Sequence, residues 1–161
     1  MELVIVAVLD ETDRKILVLL QEDGPLTQAE LAKRVALSQT SCWRRVRQLE
    51  DSGVIARRVV LVDPRAVDLT VSVIASVSLT EHSDENRASF EALVAARPEV
   101  VECYSMTGDR DYMLRVVVRD VEAYDHFLTT HLLHHPAVAS ASSSFALKQV
   151  KYTTALPLGS A

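Results

Sequence analysis

The segment LTQAELAKRVALSQTSCWRRVRQLEDSGVI, residues 26–55, contains two short helical patterns separated by a turn. Thr27-Gln28-Ala29-Glu30 has the form of a capping box, in which the threonine and the glutamate satisfy free amide groups at a helix start. A turn is expected at Ala36-Leu37. Ser38 then offers a second capping hydroxyl to a helix predicted over 39–51, which ends before a glycine. Two short helices joined by such a turn predict a helix-turn-helix.

The second of these helices has an apolar side and a polar side. Cys42, Val46 and Leu49 recur at helical spacing and are predicted to be buried. Hydrogen-bonding side chains near its N-terminus, with arginines behind them, could contact base edges and phosphates in a major groove, although a solvated face would have a similar composition. Trp43 could belong to the core, the commoner case for a lone tryptophan, or could pack against a sugar-phosphate backbone. The predicted DNA-contacting residues are Thr27, Gln28, Ser38, Gln39, Thr40, Ser41, Trp43, Arg44, Arg45, Arg47, Arg57 and Arg58.

The distribution of charge supports a nucleic-acid partner although the whole chain has a net charge of −5. Residues 27–58 hold seven basic and three acidic side chains, a net charge of +4. Residues 1–26 hold two basic and six acidic side chains (net −4), and residues 59–161 hold eight basic and thirteen acidic ones (net −5). Positive charge confined to one stretch of an acidic protein indicates a site-selective DNA binder.

Two further patterns flank the helix-turn-helix. Asp10 is predicted to cap a first helix, which Gly24-Pro25 would end. After the last helix, VIARRVVLVDP at 54–64 is β-branched and predicts a strand. Such a strand would place Arg57 and Arg58 on a wing or sheet edge that can touch phosphates.

The remainder of the chain predicts the order β-α-β-β-α-β. Strands are expected at 69–79, 100–107, 112–119 and about 138–150, with helices beginning after Ser83 and Asp120. This order is ferredoxin-like, one sheet covered on one face by two helices. The other face must be buried elsewhere, and the valine-rich first strand suggests burial against a second copy of the chain.

The segment TGDRDYML at 107–114 has several possible interpretations. Asp109 and Asp111 could form an acid/base pair, hold a metal, bind a cationic ligand group or simply make the turn between two strands. A catalytic pair lacks partners, since no base or metal ligand is evident nearby. Gly108 could let a ligand carboxylate approach the backbone, Asp111 could pair with an α-ammonium, and Ser105 and Thr107 supply hydroxyls.

Enzymes, metal sites and membrane segments are not expected. The chain has neither a nucleophile elbow nor a glycine-rich phosphate loop, so no catalytic residue and no cofactor are predicted. His131, His134 and His135 lack a nearby carboxylate or cysteine, and no metal site is predicted. The apolar start at 3–9 is too short to cross a membrane and has no basic flank, and the two distant cysteines suggest a reducing cytoplasmic setting.

Taken together, these residues resemble the feast/famine (Lrp/AsnC, leucine-responsive) family of transcription regulators. The resemblance covers the chain from about Leu9 to about Thr154. It is carried by LDETDRKIL at 9–17, the segment at 26–55, VECYSMTGDRDYML at 101–114 and YDHF…LLHHPAV at 124–138.

The resemblance implies an α+β fold with a winged-type helix-turn-helix and linker strand (residues 1–62), followed by a ferredoxin-like βαββαβ domain of RAM or ACT-like type (63–161). It implies a sequence-specific DNA-binding regulator that binds double-stranded DNA, forms homodimers and often octamers of four dimers, and responds to a free amino acid bound between dimers. The alternative is a stand-alone amino-acid sensor or small metabolic enzyme, which would not need a basic helix-turn-helix. The predicted effector-binding residues are Ser105, Thr107, Gly108, Asp109, Asp111, Leu133 and Ser144.

Two departures from the family pattern bear on these expectations. Alanine stands at position 36, where many relatives have glycine, so the turn must accommodate a Cβ atom. Ser142, Ser143 and Ser144 replace bulkier residues near the effector cleft, which leaves the identity of the amino acid open.

Overall fold

The computed structural model describes residues 8–22 and 26–159, and the chain divides into two compact units. One unit contains the chain up to Val60 together with the segment that begins at Lys151. The other contains Leu61–Val150.

Three helices form the N-terminal unit: α1 (Glu11–Glu22), α2 (Gln28–Arg34) and α3 (Gln39–Asp51). Each buries an apolar stripe in a shared core, because helices of 12, 7 and 13 residues are marginal in isolation. The buried residues are Ile16, Leu17, Leu31, Ala32, Val35, Cys42, Val46 and Leu49.

The predicted helix starts are confirmed. The Asp13 amide donates to Asp10 Oδ1 at 2.8 Å, the capping box of Thr27 is complete, and Ser38 accepts from the Ser41 amide at 3.2 Å. Ala36 in the turn has a φ of +55°, in the left-handed region that favours glycine. The predicted end of α1 at Gly24-Pro25 lies outside the described residues.

The predicted linker strand is wrong for the single chain. Residues 54–63 have no strand pairing, and Pro64–Val67 form a short 3-10 helix capped by Asp63. A strand needs neighbouring backbone groups to bond to, and none is supplied here. Val59, Val60, Leu61 and Val62 are exposed by 58–87%.

The second unit has the predicted β-α-β-β-α-β order. Its sheet has the strand order β2-β3-β1-β4, with every neighbouring pair antiparallel. The elements are β1 (Val71–Leu79), α4 (Asp84–Ala95), β2 (Val100–Ser105), β3 (Tyr112–Val118), α5 (Val121–Phe127) and β4 (Val138–Phe145), with α5 continued by a π-helical turn at Leu128–Leu132. Ser83 and Asp120 cap the two helices as predicted.

The valine side of β1 packs against the helices of its own chain, which corrects the reason given for expecting a dimer. Val73 and Val77 are fully buried in the core with Phe90 and Leu132. Because side chains alternate along a strand, the opposite face of the sheet is the open one. This open face is rich in small polar side chains: Ser72, Ser76 and Ser78 of β1, Ser140, Ser142 and Ser144 of β4, with Ile74, Met113, Arg115 and Val117.

Two strand ends differ from prediction. Strand β2 ends at Ser105 and β3 begins at Tyr112, so six residues, 106–111, join them and not the predicted four; the Met106 amide donates to the Asp111 carbonyl at 2.8 Å across the base of this hairpin. Strand β4 ends at Phe145, where its pairing with β1 stops, and not near residue 150.

Residues 151–159 pack against α1, although the predicted division assigned 63–161 to the second domain. The Arg14 guanidinium donates to the Leu158 carbonyl at 2.9 Å, and the Gln21 side chain both accepts from and donates to the Leu156 backbone. Leu158 also packs against the apolar core of the N-terminal unit. Hydrogen bonds and burial therefore tie the end of the described chain to the helix-turn-helix.

Candidate DNA-binding surface and effector cavity

Helix α3 presents a polar face on the side opposite its buried stripe. Gln39 and Thr40 occupy its first turn, and Arg44 and Arg47 extend the same exposed region. Free amide groups and the positive end of the helix dipole add to the attraction for an anion at this end. The face thus combines hydrogen-bonding groups for base edges with guanidinium groups for phosphates.

Arg45, which was predicted to contact DNA, is engaged inside the unit. Its Nη1 lies 2.7 Å from Asp10 Oδ2 and 2.8 Å from Asp13 Oδ1. The hydrogen bonds that this guanidinium donates to the Asp13 and Asp10 carboxylates raise its pKa still further. The geometry indicates a cross-link between α1 and α3 rather than a free DNA-contacting group.

The other arginines that were predicted to contact DNA differ in whether they form ion pairs within the protein. Arg47 and Arg58 form exposed ion pairs with Asp51 at 3.4 Å and Glu50 at 3.1 Å, which are weak enough to be exchanged for phosphates. Within the described ranges, Arg44 and Arg57 form no ion pair. Among the described residues, Arg44 is therefore the arginine of α3 that would not have to break an ion pair in order to contact DNA.

Trp43 is not a core residue. Its side chain is 50% exposed, and it is one of the residues that line a cavity of about 180 Å³ within the N-terminal unit. The exposed indole is compatible with the prediction of packing on a sugar-phosphate backbone.

Four remaining predicted DNA contacts, Thr27, Gln28, Ser38 and Ser41, lie at helix starts. The Thr27 hydroxyl donates to Glu30 Oε2 at 2.7 Å, and the Ser38 hydroxyl donates to Ser41 Oγ at 3.0 Å. Gln28 is exposed at the start of α2. The Thr27 and Ser38 hydroxyls also accept from the Glu30 and Ser41 amides and so act as caps, and a DNA contact would have to share them.

In the second unit, Asp111 locks the 106–111 hairpin onto the end of β1. Its backbone amide donates to the Val77 carbonyl at 2.9 Å, and its Oδ2 accepts from the Leu79 amide at 2.8 Å. Its Oδ1 lies 2.8 Å from His82 Nε2. The carboxylate is therefore engaged by a backbone amide on one oxygen and by an exposed imidazole on the other.

A cavity of about 200 Å³ adjoins this carboxylate. Of the predicted effector residues, Ser105 and Asp111 line it. The remaining walls come from residues that the sequence interpretation did not select: Leu79, His82, Arg87, Met106 and Tyr112. His82 could have been identified from the predicted antiparallel sheet. If β1 and β3 are antiparallel neighbours, the residues that follow β1 lie beside those that precede β3.

Tyr112 forms one wall of the cavity and is only 3% exposed. Its hydroxyl donates to Glu91 Oε1 on α4 at 2.8 Å. Burial, together with the bond to the Glu91 carboxylate, raises the pKa of Tyr112 to about 12. The phenol is therefore neutral and its proton is already committed.

The other predicted effector residues are not gathered at this cavity in the single chain. Thr107, Gly108 and Asp109 form the exposed hairpin tip, where Gly108 has a φ of +111° that favours glycine. Leu133 is exposed after the π-helical turn, and Ser144 lies on the open face opposite Ile74.

Arg110, between the two aspartates, points to the opposite side of the sheet from Asp111. Its Nη1 donates to Ser78 Oγ at 3.2 Å and to Ser140 Oγ at 3.1 Å. The hairpin is thus attached to both faces of the sheet through successive side chains.

Neither the aspartate pair nor the histidines form a metal centre in the part of the chain that the structure describes, where no group of three or more potential ligands is found. His134 contacts the Thr129 carbonyl, and His135 lies 3.3 Å from Ser89 Oγ. His131 faces the Arg97 guanidinium at 3.3 Å. Among the described helices, none is long and apolar enough to span a membrane.

Comparison with known families gives matches across nearly the whole chain. Residues 72–156 match the Lrp/AsnC ligand binding domain, and residues 9–56 match a winged helix-turn-helix DNA-binding domain. The Bkd operon transcriptional regulator of Pseudomonas aeruginosa is 45% identical over 94% of this chain and 99% of its own length. The DNA-binding transcriptional activator DecR of Escherichia coli is 39% identical over 93% of this chain and 99% of its own.

Solved structures agree with these matches. The transcriptional regulator NMB0573 of Neisseria meningitidis, in complex with L-Met, has a TM-score of 0.90 and 45% identity, covering 93% of this chain and 97% of that one. An AsnC family transcriptional regulator from Agrobacterium tumefaciens has a TM-score of 0.88 and 50% identity, with the same coverages.

Proposed function

The chain belongs to the Lrp/AsnC family of DNA-binding transcriptional regulators under amino-acid control, and from that membership we propose how it reads DNA and senses its effector. The exposed face of α3 enters the major groove of double-stranded DNA. Arg44 and Arg47 contact bases or phosphates, and Arg57 and Arg58 contact the backbone beyond the helix.

The observation that carries this proposal is the uncommitted polar face of α3. Gln39, Thr40, Trp43 and Arg44 are exposed on a helix whose opposite side is buried. An electrophoretic mobility shift assay with the DNA upstream of the chain's own gene tests it. Retardation that survives excess non-specific DNA is expected, and no retardation even at low salt would contradict it.

The proposed effector is a free amino acid bound beside the 106–111 hairpin, between neighbouring dimers, with no cofactor and no catalytic step. Support comes from the cavity at Asp111 and from the L-Met complex of the neighbouring structure. Thermal unfolding in the presence of each proteinogenic amino acid tests it, because a ligand that binds only the folded state raises the midpoint. If none of the amino acids raises the unfolding midpoint, the proposal of an amino-acid effector is contradicted.

The proposed assembly is a cytoplasmic homodimer, with four dimers forming an octamer. Two features support it: the open face of small side chains on the sheet, and the exposed apolar run from Val59 to Val62, which lacks a strand partner within the chain. A second copy could supply both partners. Sedimentation velocity with and without the effector measures the assembly, and a monomer at every concentration would contradict it.

A further inference from the structure

The cavity beside Asp111 has walls of opposite charge. Asp111 lies on one side and Arg87, from the first turns of α4, on another, with the His82 imidazole between β1 and α4. The Glu91 carboxylate is occupied by the Tyr112 hydroxyl, which leaves Arg87 as a cationic group available to an anion. A small cavity with one carboxylate and one guanidinium complements a zwitterion.

The two oxygens of Asp111 are not equivalent. Oδ2 receives the Leu79 amide in a part-buried bond that the sheet holds in place. Oδ1 faces His82 Nε2, and the His82 side chain is 70% exposed on the connection between β1 and α4. The imidazole can therefore leave at little cost, whereas the backbone amide cannot.

Arg87 is held near the same connection. Its Nη2 donates to the His82 carbonyl at 2.7 Å. A guanidinium has five N–H donors in a planar fork, so this bond leaves donors for a carboxylate in a bidentate arrangement. Because of this bond, a movement of the His82 backbone would also shift the Arg87 side chain.

Resting on the amino-acid control proposed above, we infer that the His82 imidazole occupies Asp111 Oδ1 in the free protein, and that an α-amino acid replaces it there with its ammonium while its carboxylate binds Arg87. This differs from the prediction that the carboxylate lies at Gly108, which does not line the cavity. His82 is then an internal competitor that lowers effector affinity, and Arg87 distinguishes amino acids from amines.

Isothermal titration of the full-length protein with L-methionine tests both roles, alongside L-methioninol, which lacks the carboxylate, and 4-(methylthio)butanoate, which lacks the ammonium. His82→Ala should bind L-methionine about two- to fivefold more tightly, as expected for removal of an exposed competing contact to Asp111. Arg87→Gln should weaken it by about tenfold or more, with partial recovery in Arg87→Lys.

The two analogues distinguish the loss of a direct contact with the ligand from a general loss of folded structure in the variants. L-methioninol should bind wild type and Arg87→Gln equally, and 4-(methylthio)butanoate should not distinguish wild type from His82→Ala. Should another amino acid raise the unfolding midpoint more than L-methionine, its amino alcohol and desamino acid replace these probes.

The outcomes distinguish this inference from the function on which it rests. Wild-type binding with unchanged affinity in His82→Ala and Arg87→Gln overturns the assignment of these residues and leaves amino-acid control intact. Absence of binding by every amino acid, in wild type and in His82→Ala, overturns both. Binding in His82→Ala alone supports the competitor role.

Discussion

Arg45 on α3 and Asp13 on α1 are joined by an ion pair of 2.8 Å, so an arginine of the helix that we propose to face DNA secures that helix to its own domain. We expect Arg45→Ala to lower the free energy of unfolding by about 1 kcal/mol, since the pair is only partly exposed. Urea unfolding measures the change. If the variant is as stable as wild type but impaired in DNA binding, Arg45 contacts DNA and does not stabilise the fold.

For Arg44, in contrast to Arg45, we expect an effect on DNA binding and none on stability. Arg44→Ala, or Arg47→Ala, should leave the unfolding midpoint unchanged and cost about 1–3 kcal/mol of DNA affinity where the side chain reads a base. Binding isotherms on operator and scrambled DNA at several salt concentrations measure this. An equal loss on both DNAs with a shallower salt dependence would instead assign a phosphate contact.

The turn between α2 and α3 carries measurable strain at Ala36, which has a φ of +55°. Ala36→Gly should stabilise the protein by about 0.5–1 kcal/mol, because relief of the left-handed strain exceeds the entropy that glycine adds to the unfolded chain. Thermal and urea unfolding test it. The matched control is an exposed alanine in α2, Ala29→Gly, which should destabilise by about 1 kcal/mol.

Tyr112 should titrate well above an ordinary tyrosine, with a pKa of about 12 against an ordinary value of 10. Because the folded-state pKa is raised, its contribution to stability is complete below pH 10. That contribution is lost as the pH rises from 10 through about 12. Tyrosinate absorbance of wild type minus Tyr112→Phe isolates this group from Tyr124, whose pKa burial also raises. A difference curve centred at the ordinary value would contradict the burial and the Glu91 bond.

Leu158 tests the attachment of residues 151–159 to the helix-turn-helix. Leu158→Ala should cost about 1–2 kcal/mol of unfolding free energy, a reduced value because the side chain is only partly buried. Leu147→Ala is the matched control, since that side chain is 99% exposed and should change nothing. Equal stability of the two variants would show that the segment does not pack against α1 in solution.

The sequence predicted the elements whose signals are local. Thr27, Ser38 and Ser83 each stand where a helix begins, because a capping hydroxyl bonds amides only two or three residues away. The order of strands and helices along the second unit followed from alternation and turn length for the same reason. The linker strand failed because a strand also requires a partner, and local sequence does not supply one.

The candidate sites depended more on packing. His82 and Arg87 were missed because they are separated from Asp111 by 29 and 24 residues, the differences between their sequence positions, and only the pairing of β1 with β3 brings them together. Arg45 was assigned to DNA because its partners lie on another helix. Similarly, alternation identified two faces of β1, but only the position of α4 and α5 determined which face is open.

By itself, the sequence determined a basic helix-turn-helix, the order of the sensor strands and membership of a regulator family, since these depend on residues close together in the chain. The tertiary structure decided what the hairpin 106–111 does. Asp111 and Arg110 are neighbours in sequence, yet in the hairpin one contacts His82 beside the cavity and the other contacts serines of the open face. Which partner each charge meets is a property of the packed sheet, because charges interact through distance in space and not through position in the chain.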